Sequence, residues 1–227
     1  MERKYTILIV ILIAVSIIIG AGLFQFNQWK QESYESTYTY KLNIYTNRTD
    51  IDFSMIVPLA LKNDKSPIDE DTFKIEFEQQ ENWTVKFIDT KYGTMLQING
   101  TLTSERHDIT INLDSDDRID TKKAFDKEPT LQPKENMTKS TYEDPHPEEW
   151  DDRIDAYEYT SSIYVQLEEG ISADLSINPR FEGRNEWWVL GWSGNEYWDR
   201  IYLDIRYDEP GWYQGNGKIV DGLGNYD

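Results

Sequence analysis

Two patterns of apolar and polar positions divide this chain. From Tyr5 through Trp29 there is no charged residue, and YTILIVILIAVSIIIGAGLFQF is apolar almost throughout. A helix of these ~22 residues, rising about 1.5 Å each, is long enough to cross a hydrocarbon layer of roughly 30 Å. Beyond residue 37 the pattern changes to alternation with a period of two, the mark of strands with one buried face. Tyr38, Tyr40, Leu42 and Ile44 share one face of a first strand, and Phe53, Met55, Val57 and Leu59 share one face of a second. Phe73, Ile75 and Phe77 predict a third, and Trp83, Val85 and Phe87 a fourth. Leu96 and Ile98 lead into Asn99-Gly100, a dipeptide suited to a two-residue hairpin turn because both positions tolerate positive φ. Ile109, Ile111 and Leu113 complete this half.

Residues 114–156 interrupt the alternation. They hold four of the eight prolines and many acids, and are expected to form a long exposed insertion or linker. Alternation returns with Ile163, Val165 and Leu167, continues through Ile171, Ala173, Leu175 and Ile177, and closes with Ile201, Leu203, Ile205 and Tyr207. A small final hairpin is expected at Asn216-Gly217, and no helix is expected beyond the first.

The predicted fold class is therefore an all-β ectodomain, an antiparallel β-sandwich with a long acidic insertion, on an N-terminal single transmembrane helix. Its parts are a signal-anchor helix (1–29), a stalk (30–37), the first half of the sandwich (38–113), the insertion (114–156) and the second half (157–227). The other arrangement is two small sheets strung along a linker. A domain of about 75 residues without disulfides buries too little surface, which favours one sandwich.

Tyr5 and Trp29 sit where an aromatic belt would hold a spanning helix, and Arg3 and Lys4 favour the inside, which places residues 30–227 outside. Gly20-Ala21-Gly22 before Leu23 offers a signal-peptide cleavage site instead, giving a secreted chain. The long run from Ile7 to Ile19 favours retention as a single-pass anchor in the cell membrane.

The formal charge of −19 disfavours nucleic acid and anionic surfaces and favours cations or basic partners. The chain has no cysteine, so its core must hold without disulfides. Asn-X-Thr acceptor sites for glycosylation occur at Asn47, Asn82, Asn99 and Asn136, all within the first 138 residues. The pentapeptide DDRID occurs at 116–120 and again at 151–155. Asp114, Asp116, Asp117 and Asp120 in one cluster, with Asp151, Asp152 and Asp155 in the other beside Glu148 and Glu149, are candidate Ca2+ ligands, although an EF-hand ligand order is missing. A solvated acidic turn accounts for them more simply, and no cofactor is otherwise implied.

Catalytic signatures are scarce. Any histidine-dependent triad would have to use His107 or His146. No nucleophile elbow, phosphate loop or zinc-spaced pair occurs. Among 42 acids some carboxylate pair for glycoside hydrolysis is inevitable, so such a pair carries no specific signal. No catalytic residue is assigned.

The densest candidate is NEWWVLGWSGNEYWDR, residues 185–200. Ser193-Gly194-Asn195-Glu196 is the predicted turn, pairing Trp192 with Tyr197 and Trp188 with Ile201. In that register Trp188, Trp192 and Tyr197 face the core, while Trp187, Trp198, Arg200 and Tyr202 form an outward strip. A one-residue slip would exchange the faces. The strip resembles, in residue type only, the platforms on which β-sandwich carbohydrate-binding modules stack sugar rings. The expectations are a non-enzymatic surface protein acting in adhesion, scaffolding or envelope assembly through protein contacts, then a carbohydrate-binding module, then an enzyme acting on surface glycans. The partners are accordingly the membrane through the N-terminal helix and a surface protein or glycan. Self-coverage of the strip is the competing structural use.

Overall fold

The computed structural model describes residues 2–142, 154–188 and 191–226, with the side chains of 2–11 and 14 excepted. Among the described residues three helices and twelve strands follow in the order α1 (Glu2–Glu32), β1 (Glu35–Thr46), β2 (Ile51–Val57), β3 (Leu59–Leu61), α2 (Glu70–Glu81), β4 (Thr84–Thr90), β5 (Gly93–Leu102) and β6 (Arg106–Asp114). After them come α3 (Ala124–Lys127), β7 (Thr130–Gln132), β8 (Glu135–Ser140), β9 (Asp155–Leu167), β10 (Ala173–Trp188), β11 (Trp192–Tyr207) and β12 (Gly211–Gly224).

The antiparallel β architecture agrees with the alternation. Its layering is a ten-stranded sheet of order β4-β5-β2-β9-β12-β11-β10-β1-β6, with β8 added to β9, curled into a half-barrel, and a separate β3–β7 ribbon. Strands of the first half flank the second half on both sides, through β2 with β9 and β1 with β10. Tyr40, Leu42 and Ile44 on β1 are fully buried, as are Met55 and Val57 on β2 and Ile163 and Val165 on β9. Each such aliphatic side chain stabilises the fold by about 1.5–3 kcal/mol relative to exposure.

The expected strand at Phe73, Ile75 and Phe77 is instead helix α2. Asp69 caps its N-terminus, its carboxylate accepting from Thr72 N at 2.8 Å, and Asn82 ends it in the left-handed conformation at φ 56°. Phe73 and Phe77, one turn apart, are buried, whereas Ile75 between them is half exposed. That spacing belongs to a helix face, and it also fits a strand when only three apolar residues are present. Helix α2 packs on both edge strands, β4 and β6. Gln80 imitates a strand partner to β6, accepting from Thr110 N and donating to Thr110 O, each at 3.0 Å. Glu70 accepts from Phe87 N at the β4 edge. The helix thereby occupies backbone groups of both of these edge strands, at Thr110 and at Phe87.

The two Asn-Gly turns are not turns. Strand β5 runs through Asn99-Gly100 and β12 runs through Asn216-Gly217. A Cβ on Gly100 would lie 2.1 Å from Trp83 Cδ1, and one on Gly217 would lie 2.2 Å from the Tyr159 ring. Each glycine is there so that an aromatic ring can lie flat against bare backbone.

The insertion is also more structured than its composition suggests. Ile119, Ala124 and Leu131 are buried in the main core, β7 pairs with β3, and β8 lies along β9. Residues 143–153, including His146, Glu148, Glu149, Asp151 and Asp152, lie outside the described residues.

Helix α1 meets the sheet at its C-terminal end, beside β10. Leu12, Ile13, Val15, Ile17, Ile18, Ile19, Leu23 and Phe24 are all exposed, and at 100° per residue they point to every side of the helix. Among the described residues no helix is long and apolar enough to cross a membrane; the first part of the expected span, side chains 5–11, lies outside them.

Candidate functional site

The aromatic stretch does form an antiparallel hairpin, but its turn lies elsewhere. Trp188 pairs with Trp192, Trp187 with Ser193, Asn185 with Asn195 and Gly183 with Tyr197, so the pairing runs through the expected turn at 193–196 and ends at Trp188 and Trp192. Asn195, assigned to the turn from sequence, is a buried strand residue. This register exchanges the faces of the first strand. Trp187 and Trp198, the expected outward rings, are 2% and 9% exposed; Trp188 and Trp192, the expected core rings, are 38% and 67% exposed. Tyr197 is buried as expected, and Tyr202 is exposed as expected.

Three aromatic groups result. The first joins helix to sheet. Trp187 stacks on Tyr34 with centroids 5.7 Å apart and rings 1° from parallel; Lys30 Nζ lies 5.0 Å over the Trp187 ring and the Arg118 guanidinium 4.8 Å over Tyr34. Alternating cations and π faces attract one another through the ring quadrupole. Beside the stack, the Ser33 hydroxyl accepts from Trp188 N at 2.9 Å and donates to Trp188 O at 3.3 Å. The expected stalk is therefore a docked junction: Ser33 is pinned to the hairpin and Glu35 already pairs with Glu186.

The second group is the remnant of the outward strip. Trp198 lies in a small cluster with Ala156, Val220 and Leu223, against which Tyr142 and Ile154 pack. Arg200 lies 5.0 Å over Trp198 and 4.5 Å over Tyr202, and Arg180 lies 6.0 Å over Trp198. Burial, against a raising contribution from Tyr202, lowers the Arg200 guanidinium from its ordinary value, and its buried Nε has no hydrogen-bond partner. The chain's own side chains thus cover the ring that would have centred a sugar platform.

The third group was missed from sequence because the turn was placed at 193–196. Trp188 and Trp192 sit at the hairpin tip, and with Trp29, Glu32 and Ser33 they line an open, mainly apolar hollow of about 470 Å³. Trp29 itself is 46% exposed. The available signal was WWVLGW, an apolar stretch with its own glycine immediately before the assigned turn.

The first acidic cluster is held down by amides from this same hairpin. Asn185 accepts from Ser36 Oγ and Ile119 N and donates to Ile119 O and to Asn195 Oδ1; Asn195 Oδ1 also accepts from Thr121 Oγ1 at 2.6 Å. Although burial works to raise it, the Lys127 ammonium 2.7 Å away holds the Asp120 carboxyl below the usual range. Asp155 pairs with Lys139. Among the described residues no three acidic, cysteine or histidine side chains converge as metal ligands would, Asp114, Asp116 and Asp117 included.

His107 is buried on β6, with Nδ1 2.7 Å from Glu81 and its ring 4.9 Å from Trp83. Ser104 is close by, but its hydroxyl donates to Arg106 O at 2.6 Å while its backbone N–H donates to His107 Nε2. The group caps the β5–β6 turn; the Ser104 hydroxyl lies 2.6 Å from Arg106 O and 3.4 Å from His107 Nε2.

The acceptor asparagines Asn47, Asn82 and Asn136 are exposed and Asn99 is half-buried. By register, Asn47, Asn82 and Asn99 lie toward the end of the sheet remote from α1, and Asn136 lies partway along β9. Comparison of the chain with protein-family models, curated proteins and solved structures found no match.

Proposed function

We propose that this chain is a single-pass membrane protein whose acidic, glycan-bearing β domain stands outside the cell and acts through contacts with other surface proteins, in adhesion, scaffolding or envelope assembly. One observation carries this reading: α1 presents apolar side chains on all sides and leaves the sheet at one end, while three of the four acceptor asparagines lie toward the other. A helix apolar around its whole circumference is at home in lipid or inside a large protein, and α1 projects from its own domain. The side-chain cluster around Trp198 turns the outer aromatic strip to packing, which favours protein contact over sugar stacking. The charge of −19 favours a partner with a basic surface.

The test uses the full chain expressed in membranes. Retention of the intact chain in the pellet after alkaline carbonate, with external protease removing the β domain, is the expected result. Release into the supernatant, or a mature mass that begins at Leu23, overturns it.

A further inference from the structure

We infer that the β10–β11 tip is a second membrane-contacting element, which seats the β domain on the outer lipid interface beside its own anchor. The inference rests on the anchor reading and adds a surface and an occupant: Trp29, Trp188 and Trp192 sit in the headgroup layer of the leaflet from which α1 emerges.

The position of the tip carries the argument. Helix α1 is continuous from Glu2 to Glu32, and Ser33, the next residue, is hydrogen-bonded to both backbone groups of Trp188. The tip therefore cannot leave the helix end without breaking this pair and the Trp187–Tyr34 stack behind it. Ser33 lies four residues past Trp29, a rise of about 6 Å along the helix. The headgroup layer on each side of a bilayer is of similar thickness. With Trp29 at the boundary of the hydrocarbon, Trp188 and Trp192 are brought to the level of the headgroups.

The chemistry of the tip suits that layer. Indole combines a large apolar body with one N–H donor, and tryptophan collects at membrane interfaces for that reason. Trp192 at 67% exposure is the most exposed ring of the hairpin, and the hollow between it, Trp188 and Trp29 is open. In water that arrangement leaves three indoles partly exposed around an open hollow, whereas lipid headgroups and upper acyl carbons would fill the space. Glycan acceptors are absent from this end: Asn47, Asn82 and Asn99 lie toward the other by register. The rigid stack of Lys30, Trp187, Tyr34 and Arg118 makes the junction a strut, so that seating the tip also sets the tilt of the whole sheet.

The chain has no cysteine, so single labels can be placed on the full protein. Nitroxides at Gly191→Cys, where a Cβ meets nothing within 4 Å, at exposed Ile18→Cys and at exposed Glu209→Cys are compared in phosphatidylcholine vesicles. Oxygen and a water-soluble nickel chelate report the depth of each. The expected result is Ile18 within the hydrocarbon, Gly191 at the interface and Glu209 in water, with Trp188→Ala/Trp192→Ala moving the Gly191 label toward water. If Gly191 is as aqueous as Glu209 while Ile18 is in hydrocarbon, the seating is overturned and the anchor stands. A Gly191 label shielded from both quenchers marks a protein contact and overturns the seating, and so does a depth unchanged by the double alanine variant. If Ile18 is aqueous, the anchor reading falls and the seating falls with it.

Discussion

The Lys134 ammonium lies 2.5 Å from Asp199 Oδ2, with the two side chains 6% and 0% exposed. Lys134 also donates to Leu131 O, while Asp199 accepts from Leu131 N at 2.8 Å and from the Tyr159 hydroxyl at 2.5 Å. This network joins the insertion, through the residues around β7, to β9 and β11 in the centre of the sheet. Burial lowers the Lys134 ammonium from its ordinary value although Asp199 opposes the shift, and burial followed by Asp199 pushes the Tyr159 phenol well up. A buried ion pair of this kind tolerates joint replacement far better than the loss of one member. Asp199→Asn, which strands the ammonium, is expected to destabilise by about 3–5 kcal/mol. Adding Lys134→Met should recover most of that loss, because the remaining amide oxygen still accepts from Tyr159 or Leu131. Urea titration of the two variants against the parent checks this; equal stability of the single and double variants would sink it.

Gly100 and Gly217 test the covering of glycine by aromatic rings. An alanine at either places its Cβ within about 2.2 Å of Trp83 or Tyr159, rings that are themselves buried and cannot swing away freely. Overpacking of this kind costs about 1–3 kcal/mol. Gly191→Ala, with nothing near its Cβ, is the control and is expected to change stability by less than about 0.5 kcal/mol. Parallel thermal melts read the difference.

The observed hairpin register separates two neighbouring tryptophans by their effect on stability. Trp187→Ala removes a 2%-exposed ring and its stack on Tyr34, with an expected loss of about 3–5 kcal/mol. Trp192→Ala removes a 67%-exposed ring and is expected to leave the denaturation midpoint nearly unchanged. The register with its turn at 193–196 predicts the opposite order.

Asp221 gives the pH dependence. Burial pushes its carboxyl up to about 6, against the Phe125 N–H, which favours the ionised form, and with Asp155 adding to the rise. Its Oδ1 has no hydrogen-bond partner. Between about 4 and 6 the folded state therefore holds this proton more tightly than the unfolded chain does, and the contribution of Asp221 to stability grows as pH falls through that window. Asp221→Asn is expected to raise the melting temperature at pH 7 and to flatten the profile between pH 4 and 6. An unaltered slope would show that Asp221 does not titrate there.

The alternating strands were largely legible from pattern alone: β1, β2, β9, β11 and the first half of β10 bury most of the face expected of them, with Tyr38 and Ile205 only partly buried. Helix α2 was not, because Phe73, Ile75 and Phe77 satisfy a period of two as well as a helical one. Its caps at Asp69 and Asn82 were in plain sight, yet only the exposure of Ile75 decides between the periods. At the candidate site, Trp187 and Trp198 were identified as a group but given the wrong surroundings.

What this sequence determined by itself is therefore the apolar helix, the antiparallel β character, the charge and the positions of the acceptor asparagines, since each depends on residues adjacent along the chain. What only the tertiary structure decided is the register at the aromatic hairpin and the role of the glycines. Both Val189-Leu190-Gly191 and Ser193-Gly194-Asn195-Glu196 can turn. The choice falls to distant partners: β1 aligning Glu35 with Glu186, β12 aligning Gly224 with Asn195, and the buried Asn185–Asn195 amide pair. Likewise Asn-Gly becomes strand rather than turn where Trp83 or Tyr159 comes to lie on it. A turn competes locally, whereas the free energy of burying a ring is supplied from across the sheet.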